Sequence, residues 1–232
     1  MLDHKVDFAL LLYDEFDGSA IADASVLFRC DGRMVTPLRK KEGFYVFCGL
    51  GGAEISVEIS RPHYHKKQKR ILKNRLDPGN PVVRARLMRE YPGTFADCEW
   101  LHGDGPPNSE VLAFTQEEQI KLQVGEEDKS RLTVLGYATG NLVGRRFAPD
   151  KKSGDTFLIT RMLAPGVYLA DRALPFSPKG ARPVIRAYLS RSGTDGRYHI
   201  PVEKGRGGGV SDTAFYDRGR EEWVCASAMA RG

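Results

Sequence analysis

The sequence has no long hydrophobic run and no recognisable export signal. None of its apolar stretches reaches the roughly 18 residues that a membrane-spanning helix needs, so we expect no membrane insertion. The first apolar stretch, from Phe8 to Tyr13, follows two acidic residues and is too short for a signal-peptide core. We therefore expect a cytoplasmic location, with release by lysis open if the chain is part of a particle.

Cysteines are few and widely spaced. The four of them, Cys30, Cys48, Cys98 and Cys225, are never closer than 18 residues, which excludes a CxxC metal knuckle or redox pair. Reduced thiols are expected in the absence of export. A disulfide between Cys30 and Cys48, facing each other across a sandwich, is the alternative.

Charge is unevenly distributed over the 232 residues, whose net charge is +5. Residues 61–90 contain ten Lys or Arg and two acids, whereas residues 91–130 contain nine acids and two lysines. This asymmetry suits docking onto a charged partner or onto a copy of the chain itself. The hydrophobic content of 41% is sufficient for a buried core, in one large domain or in two of about 100 residues.

Short alternating segments between the 25 glycines and 13 prolines predict an all-β protein. In the first half, Ile55, Val57 and Ile59 alternate with polar residues, and Asp31-Gly32 is typical of a tight hairpin turn. Residues 1–90 are predicted to form an antiparallel sandwich of about seven strands. The predicted strands are Phe8 to Tyr13, Ala24 to Cys30, Phe44 to Cys48, Glu54 to Ser60, Lys67 to Leu72 and Pro81 to Met88.

The second half is predicted to be another sandwich. Residues 91–109 are rich in turn-forming residues and are predicted to be a connection. Residues 110–232 form the second sandwich, with a glycine-rich loop at 205–209 and a C-terminal tail. Thr115 and Glu118 have the form of a helix capping box, but the alternation that follows favours a strand. Further predicted strands are Leu132 to Tyr137, Phe157 to Met162, Val167 to Ala170, Val184 to Leu189, Tyr198 to Val202 and Trp223 to Cys225.

The two halves share a spacing pattern. Residues 43–57 and 156–170 each have an aromatic residue, a leucine six residues later, a glycine-containing turn, and a large apolar residue five positions beyond the leucine. This pattern predicts a hairpin in each half and a duplicated sandwich, with Leu50 and Leu163 at the ends of the two cores.

The first 90 residues carry a family resemblance in four segments: 22–26, 41–47 with Leu50, 55–59, and Arg61-Pro62-His63-Tyr64. This pattern resembles the carboxypeptidase regulatory-like family, related to transthyretin and to the B-type repeats of collagen adhesins. The resemblance implies a seven-stranded Greek-key sandwich, a Tyr64 packed under the sheet, a bracing or presenting role and no catalytic residue. The adhesin relatives also imply a cross-link between Lys5 and Asn80 as a pair to test.

Several groups were weighed as chemical sites. His63 and His65 would share one face of a strand, as a two-histidine metal site needs, but no third ligand is identifiable. Asp14, Glu15, Asp17 and Asp23 favour turn formation over calcium binding, since the EF-hand order is missing. No Gly-x-Ser-x-Gly elbow or complete phosphate-binding loop is present, so we predict no cofactor, no metal and no enzymatic activity.

The predicted working surfaces are a basic edge and an aromatic tail. Residues 61–75 hold seven cations and no acid, with a single aromatic, which makes nucleic acid an unlikely partner and an acidic protein surface a better one. A solvated edge that serves only solubility is the other alternative. In a strand these cations would also discourage edge-to-edge pairing. The residues predicted to bind a partner are Arg61, Lys66, Lys67, Lys69, Arg70, Tyr216 and Trp223.

The favoured function is a structural or adaptor subunit of a large protein assembly, most concretely a phage-tail-like or contractile-particle component such as a baseplate part. Its partners would be other subunits or copies of itself. One alternative is a carbohydrate- or surface-binding module, in which Trp100, Tyr216 and Trp223 line one face. Another is a hydrolase of unknown substrate using some of His102, Asp104, His199 and Asp212.

Overall fold

A computed structural model describes residues 6–136, 141–150, 155–204, 210–217 and 222–225. The chain divides into two compact units, residues 1–94 and 95–232. The described residues form strands and two short 3-10 turns, Lys41–Gly43 and Lys73–Arg75, which confirms the prediction of an all-β protein. The pairings between the described strands are antiparallel, as predicted, except for one parallel pair in the first unit. None of its described helical segments has the length and hydropathy of a membrane span.

The first unit is made of two four-stranded sheets. One has the order β4-β5-β1-β8, in which β1 pairs with β5 antiparallel and with β8 in parallel. The other has the order β3-β2-β6-β7. The strands are β1 Val6–Asp14, β2 Leu27–Cys30, β3 Arg33–Val35, β4 Leu38–Arg39, β5 Phe44–Cys48, β6 Glu54–Ser60, β7 Lys67–Leu72 and β8 Val82–Leu87.

The core of the first unit lies between these two sheets. Phe28 of β2 meets Phe47 of β5 edge to face at 5.3 Å, and Phe47 stacks on Phe8 of β1 at 4.6 Å. The predicted alternation in β6 is confirmed, because Ile55, Val57 and Ile59 are fully buried while their neighbours in the strand are not. These contacts bury aromatic and β-branched side chains from both sheets, the main favourable term in closing a sandwich.

The predicted turn between β2 and β3 is confirmed. Cys30 pairs with Arg33, and the two residues between them have positive backbone angles, φ 49° at Asp31 and φ 80° at Gly32. Two consecutive left-handed residues match the right-handed twist of the strands that they join. Cys30 and Cys48 are free thiols, so the disulfide alternative is wrong. Burial, with the nearby Asp31 charge, raises the pKa of Cys30 to about 11.

Replacing Gly32 by alanine is expected to destabilise the first unit by about 1 kcal/mol, because an L-residue is strained at this positive angle. The Cβ would meet no atom within 4 Å, so strain is the only cost. Gly51→Ala is the matched control, since a Cβ there also has open space and no positive angle is involved. Urea unfolding of both variants measures the difference, and equal midpoints would contradict the turn assignment.

The predicted hairpin over residues 43–57 is wrong, although the corresponding one in the second half is correct. β5 pairs with β1 and β4, whereas β6 pairs with β2 and β7, so the chain crosses from one sheet to the other between them. The crossing is held at Leu50, whose N–H donates to Asp7 at 2.7 Å and whose carbonyl accepts from Lys73 at 2.5 Å. A shared spacing of apolar and glycine residues thus serves two different connections.

In the second unit six strands close into a ring, which differs from the two separate facing sheets predicted for this half. β10 pairs with β15 on one side and with β11 on the other, and the ring runs β10-β11-β14-β13-β12-β15. β17 and β18 extend the sheet from the first half of β10. The strands are β9 Cys98–Asp104, β10 Glu110–Val124, β11 Arg131–Leu135, β12 Arg146–Ala148, β13 Phe157–Ala164, β14 Val167–Ala170, β15 Arg182–Arg191, β16 Arg197–Glu203, β17 Val210–Asp217 and β18 Glu222–Cys225.

A single apolar cluster fills this ring. Every one of the six strands contributes a buried side chain to it, and Leu142, Leu174 and Phe176 join from the connecting segments. β10 is continuous through residues 115–119, which confirms the preference for a strand over a helical turn there.

The segment 91–109, expected to be a connection, contains β9. This strand pairs along its whole length with β16, from Cys98 opposite Glu203 to Asp104 opposite Arg197. Its interspersed glycines suggested a loop, but Gly103 is required by packing, since a Cβ there would lie 2.3 Å from the hydroxyl of Tyr198.

Candidate functional site

Of the five cations predicted as a docking edge, four lie on β7 or directly before it, and Arg61 follows the end of β6. β7 pairs with β6 alone among the described strands, so it is an outer strand of its sheet. Arg61, Lys69 and Arg70 each contact another residue of the same unit. Arg61 pairs with Asp23 at 2.6 Å and covers the ring of Tyr64. Lys69 donates to the carbonyl of Arg84 at 3.0 Å. Arg70 forms an ion pair with Glu54.

Lys69 also joins the two sheets. Its acceptor, Arg84, lies on β8, the outer strand of the opposite sheet, so the lysine crosses the gap between the two outer strands. Lys66 and Lys67 stand at the start of β7, the first exposed and the second half-buried. We call Lys66, Lys67, Lys69 and Arg70 the basic margin.

A surface pocket of about 320 Å³ adjoins the basic margin. It is lined by Lys66 together with residues from the outer face of the β3-β2-β6 strands. Two of the lining residues are large apolar side chains with high exposure, Leu27 at 53% and Met34 at 58%. The other lining residues are Arg29, Glu58 and Ser60. Sequence reasoning missed this hollow, because Leu27 and Met34 belong to different strands that become neighbours only through the β2–β3 hairpin.

The two predicted aromatic contact residues are brought together. Tyr216 of β17 lies directly opposite Trp223 of β18, and their rings meet at 5.4 Å. Both are half-buried, and Trp223 packs against an apolar cluster that includes Leu112 and Phe114. Trp100, the third aromatic of the glycan hypothesis, lies on β9 and contacts Phe95 at 6.2 Å. The glycine-rich loop 205–209 and Lys5 lie outside the described residues.

A buried polar network in the first unit was not predicted. Asp14, 2% exposed, accepts hydrogen bonds from Tyr64 Oη at 2.7 Å, Arg89 Nε at 2.9 Å and the N–H of Phe16 at 2.8 Å. The Arg89 guanidinium also lies 4.2 Å from the centre of the Phe16 ring. Burial raises the pKa of Asp14, and Arg89 and Tyr64 offset part of that rise. Tyr64 is buried, as the family resemblance implied.

The acidic group weighed for calcium is used for turns and ion pairs. Asp17 accepts from the N–H of Ser19 at 2.7 Å, and Asp23 accepts from Ser25 and Arg61. Burial alone would raise the pKa of Asp23, but hydrogen bonds from Ser25 and Arg61 lower it. Within the described part of the chain, no group of three or more His, Cys, Asp or Glu could hold a metal ion.

The placement of His63 and His65 on one strand, on which a two-histidine site would depend, is wrong. His63 has a left-handed backbone (φ 64°) and lies outside any strand, so the two side chains do not share a strand face. His65 instead lies 3.7 Å from Glu90.

A different pair of histidines converges in the second unit. His102 of β9 lies directly opposite His199 of β16, with the two Nδ1 atoms 2.6 Å apart and the rings nearly perpendicular. Burial, and then the neighbouring His102, lower the pKa of His199. Asp104 lies opposite Arg197, and Asp212 is on β17 opposite Phe114. The register of β9 and β16 therefore pairs the two histidines with each other.

A second buried charge lies in the second unit. Arg186 is 2% exposed, donates to the carbonyl of Arg146 at 3.1 Å, and covers the ring of Tyr188 at 4.8 Å. Glu203, 4.0 Å away, supplies an opposite charge, and it is shared with Arg145 at 3.7 Å. Burial lowers the pKa of Arg186. Because Arg186 lies on β15 and Glu203 on β16, their ion pair helps to attach these two strands to each other.

Comparison of the chain with family models, with curated proteins and with solved structures gives no match. The resemblance to the carboxypeptidase regulatory-like family therefore stays a prediction. The functional argument depends on the surfaces described above.

Proposed function

We propose that the chain is a non-catalytic docking subunit that binds an acidic, partly apolar protein surface through the basic margin and its adjoining pocket. The observation that carries this proposal is the exposure of Leu27 and Met34 in a hollow that Lys66 borders. Exposed apolar side chains enclosed by polar ones are typical of protein interaction sites.

The chemistry of the hollow defines the partner. One apolar side chain of the partner would fill the space between Leu27 and Met34, and carboxylates beside it would meet Lys66 and Lys67. Charge complementarity of this kind speeds association and selects the partner, while the apolar contact contributes most of the affinity. β7, as an outer strand, also offers backbone groups to an added strand, and its lysines limit such pairing to a partner that neutralises them.

The finer proposal is a subunit of a phage-tail-like or contractile particle, assembled in the cytoplasm. This proposal depends on an analogy, namely that rigid β-domains commonly serve as components of large assemblies. The analogy concerns the fold and not particular residues. The two four-stranded sheets and the buried Tyr64 of the first unit support the family resemblance from which this analogy starts. Neighbouring genes for tail sheath, tube or baseplate proteins would support it, and their absence would count against it.

The charge reversal Lys66→Glu with Lys67→Glu is expected to weaken docking at least tenfold. The probe is a synthetic peptide with one leucine between acidic pairs, titrated by fluorescence anisotropy, with light scattering for self-association. Lys40→Glu with Lys41→Glu is the matched control, because these two lysines are also exposed and belong to the same unit. Raising the salt should reproduce the loss.

A second variant separates apolar contact from charge. Leu27→Ser with Met34→Ser keeps the net charge and should also weaken peptide binding. If the wild type shows neither peptide binding nor self-association, or if both reversals weaken binding equally, the proposed docking site is wrong.

A further inference from the structure

We infer that His102 and His199 form a binding site for a divalent transition-metal ion, with two imidazole ligands from the protein and water in the remaining positions. The inference starts from the placement of the two rings on paired strands. Seven consecutive residue pairs join β9 to β16, and His102 and His199 are the third pair from the end at which Asp104 lies opposite Arg197. Side chains directly opposite on antiparallel strands have neighbouring Cβ atoms, so one small ion can reach both rings.

The separation of the two nitrogens fits a shared ion. The Nδ1 atoms are 2.6 Å apart, which is a hydrogen-bond distance in which one ring donates and the other accepts. Two imidazole nitrogens bound to one tetrahedral zinc ion, each at about 2.0–2.1 Å, lie about 3.4 Å apart. A small rotation of either side chain supplies the difference, and the ion then takes the place of the shared proton.

The protons of the two rings balance when the ion binds. When both rings are neutral, the donor ring moves its proton from Nδ1 to its own Nε2, and both Nδ1 lone pairs become available without proton release. When a ring is protonated, metal binding must displace that proton, so affinity falls as the pH falls. The titratable and charged side chains that act on His199 are His102, Asp195 and Arg197.

The backbone around the pair is fixed. Ser190 donates to the carbonyl of His199 at 2.7 Å, which ties β16 to β15 at this residue. On the opposite face of β16, Tyr198 and Ile200 are buried, and Tyr198 packs on Gly103, the residue after His102. His102 itself is exposed and His199 is half-buried, so the outer side of the pair is open to the water ligands that an ion requires. Imidazole suits zinc, nickel and copper, with copper expected to bind most tightly.

The test is a titration of the full, tag-free chain with Zn²⁺, followed through the imidazole ¹⁵N shifts and by calorimetry. We expect one ion per chain, with the Nδ1 signals of His102 and His199 shifting together. His102→Asn and His199→Asn should each lower the affinity at least tenfold. The variant His63→Asn with His65→Asn is the matched control, because it removes two histidines that are close in sequence and do not converge, and it should bind like the wild type.

Three outcomes would overturn the inference. The first is an unchanged affinity in His102→Asn, and the second is a zinc-dependent shift confined to His63 and His65. The third is no binding at millimolar Zn²⁺ by a wild type whose ¹⁵N spectrum shows the two rings paired. Circular dichroism of each variant checks that it folds, and the shift of the remaining histidine in each single variant reports the site even where stability changes.

Discussion

Replacing Arg89 by leucine is expected to destabilise the first unit by about 3–5 kcal/mol, the usual result of removing one partner of a buried ion pair. Arg89 is 4% exposed, and its Nε lies 2.9 Å from a carboxylate that is itself 2% exposed. Without the guanidinium, Asp14 retains its hydrogen bonds from Tyr64 and Phe16 but has lost its nearest opposite charge. The loss should exceed that of any exposed charge in the unit.

The pH dependence of this variant has a definite sign. Burial already raises the pKa of Asp14, and removing Arg89 removes the largest opposing influence, so the folded variant binds a proton at a pH where the unfolded chain does not. Stability of the variant should therefore increase as the pH falls and decrease as it rises, because the extra proton on Asp14 in the folded state is lost with rising pH. The double variant Asp14→Asn with Arg89→Leu removes the buried carboxylate as well, leaves only the partly exposed Asp17 without its arginine, and should recover part of the loss.

Arg70→Leu is the matched control for Arg89→Leu. Its ion pair with Glu54 is exposed, with 71% of the arginine side chain accessible, so the expected change is less than about 1 kcal/mol. Both tryptophans, Trp100 and Trp223, belong to the second unit, so tryptophan fluorescence does not report on the first. Unfolding of the first unit can instead be followed by hydrogen exchange of peptides from β1 and β6, measured in increasing urea. Equal losses in the two variants would contradict a structural role for the buried network.

Local sequence patterns predicted the strands well, because in a strand with one face in the core every second residue is buried and apolar. Ile55, Val57 and Ile59 show this alternation, and the strand from Val167 to Ala170 has the predicted bounds. The pairing partner of each strand could not be predicted in this way, because it depends on residues far away in the chain. Nothing near Leu50 indicates that its N–H will meet Asp7, 43 positions earlier, yet that contact accompanies a crossing where a hairpin was predicted.

At the candidate site too, the sequence indicated which residues were of interest but not which residues they contact. The basic residues 61–70 could be located on an edge from the sequence, but their internal partners could not. Arg84 lies on β8, and Asp23 lies in the segment before β2. His102 and His199 were each recognised as candidate reactive groups, and only the register between β9 and β16 makes them a pair. A one-residue shift in that register would turn one ring to the opposite face.

Replacing Phe157 by alanine is expected to destabilise the second unit by about 3–5 kcal/mol, the range for emptying a buried aromatic site. Phe157 is fully buried and contacts Phe147 at 6.0 Å and Phe176 at 6.5 Å. The ring of six strands restricts relaxation, because β13 is held by β12 on one side and β14 on the other and cannot move inwards without breaking either set of hydrogen bonds. The cavity should therefore stay largely open, which places the cost in the upper part of this range.

Met162→Ala is the matched control for this prediction, since the residue lies on the same strand with 49% of its surface exposed. Its change should stay within about 0.5 kcal/mol. Urea unfolding followed by tryptophan fluorescence measures both variants, because both tryptophans lie in this unit. If Phe157→Ala costs no more than Met162→Ala, the side chain does not fill a closed core, and the six-strand ring would have to be abandoned as the description of this unit.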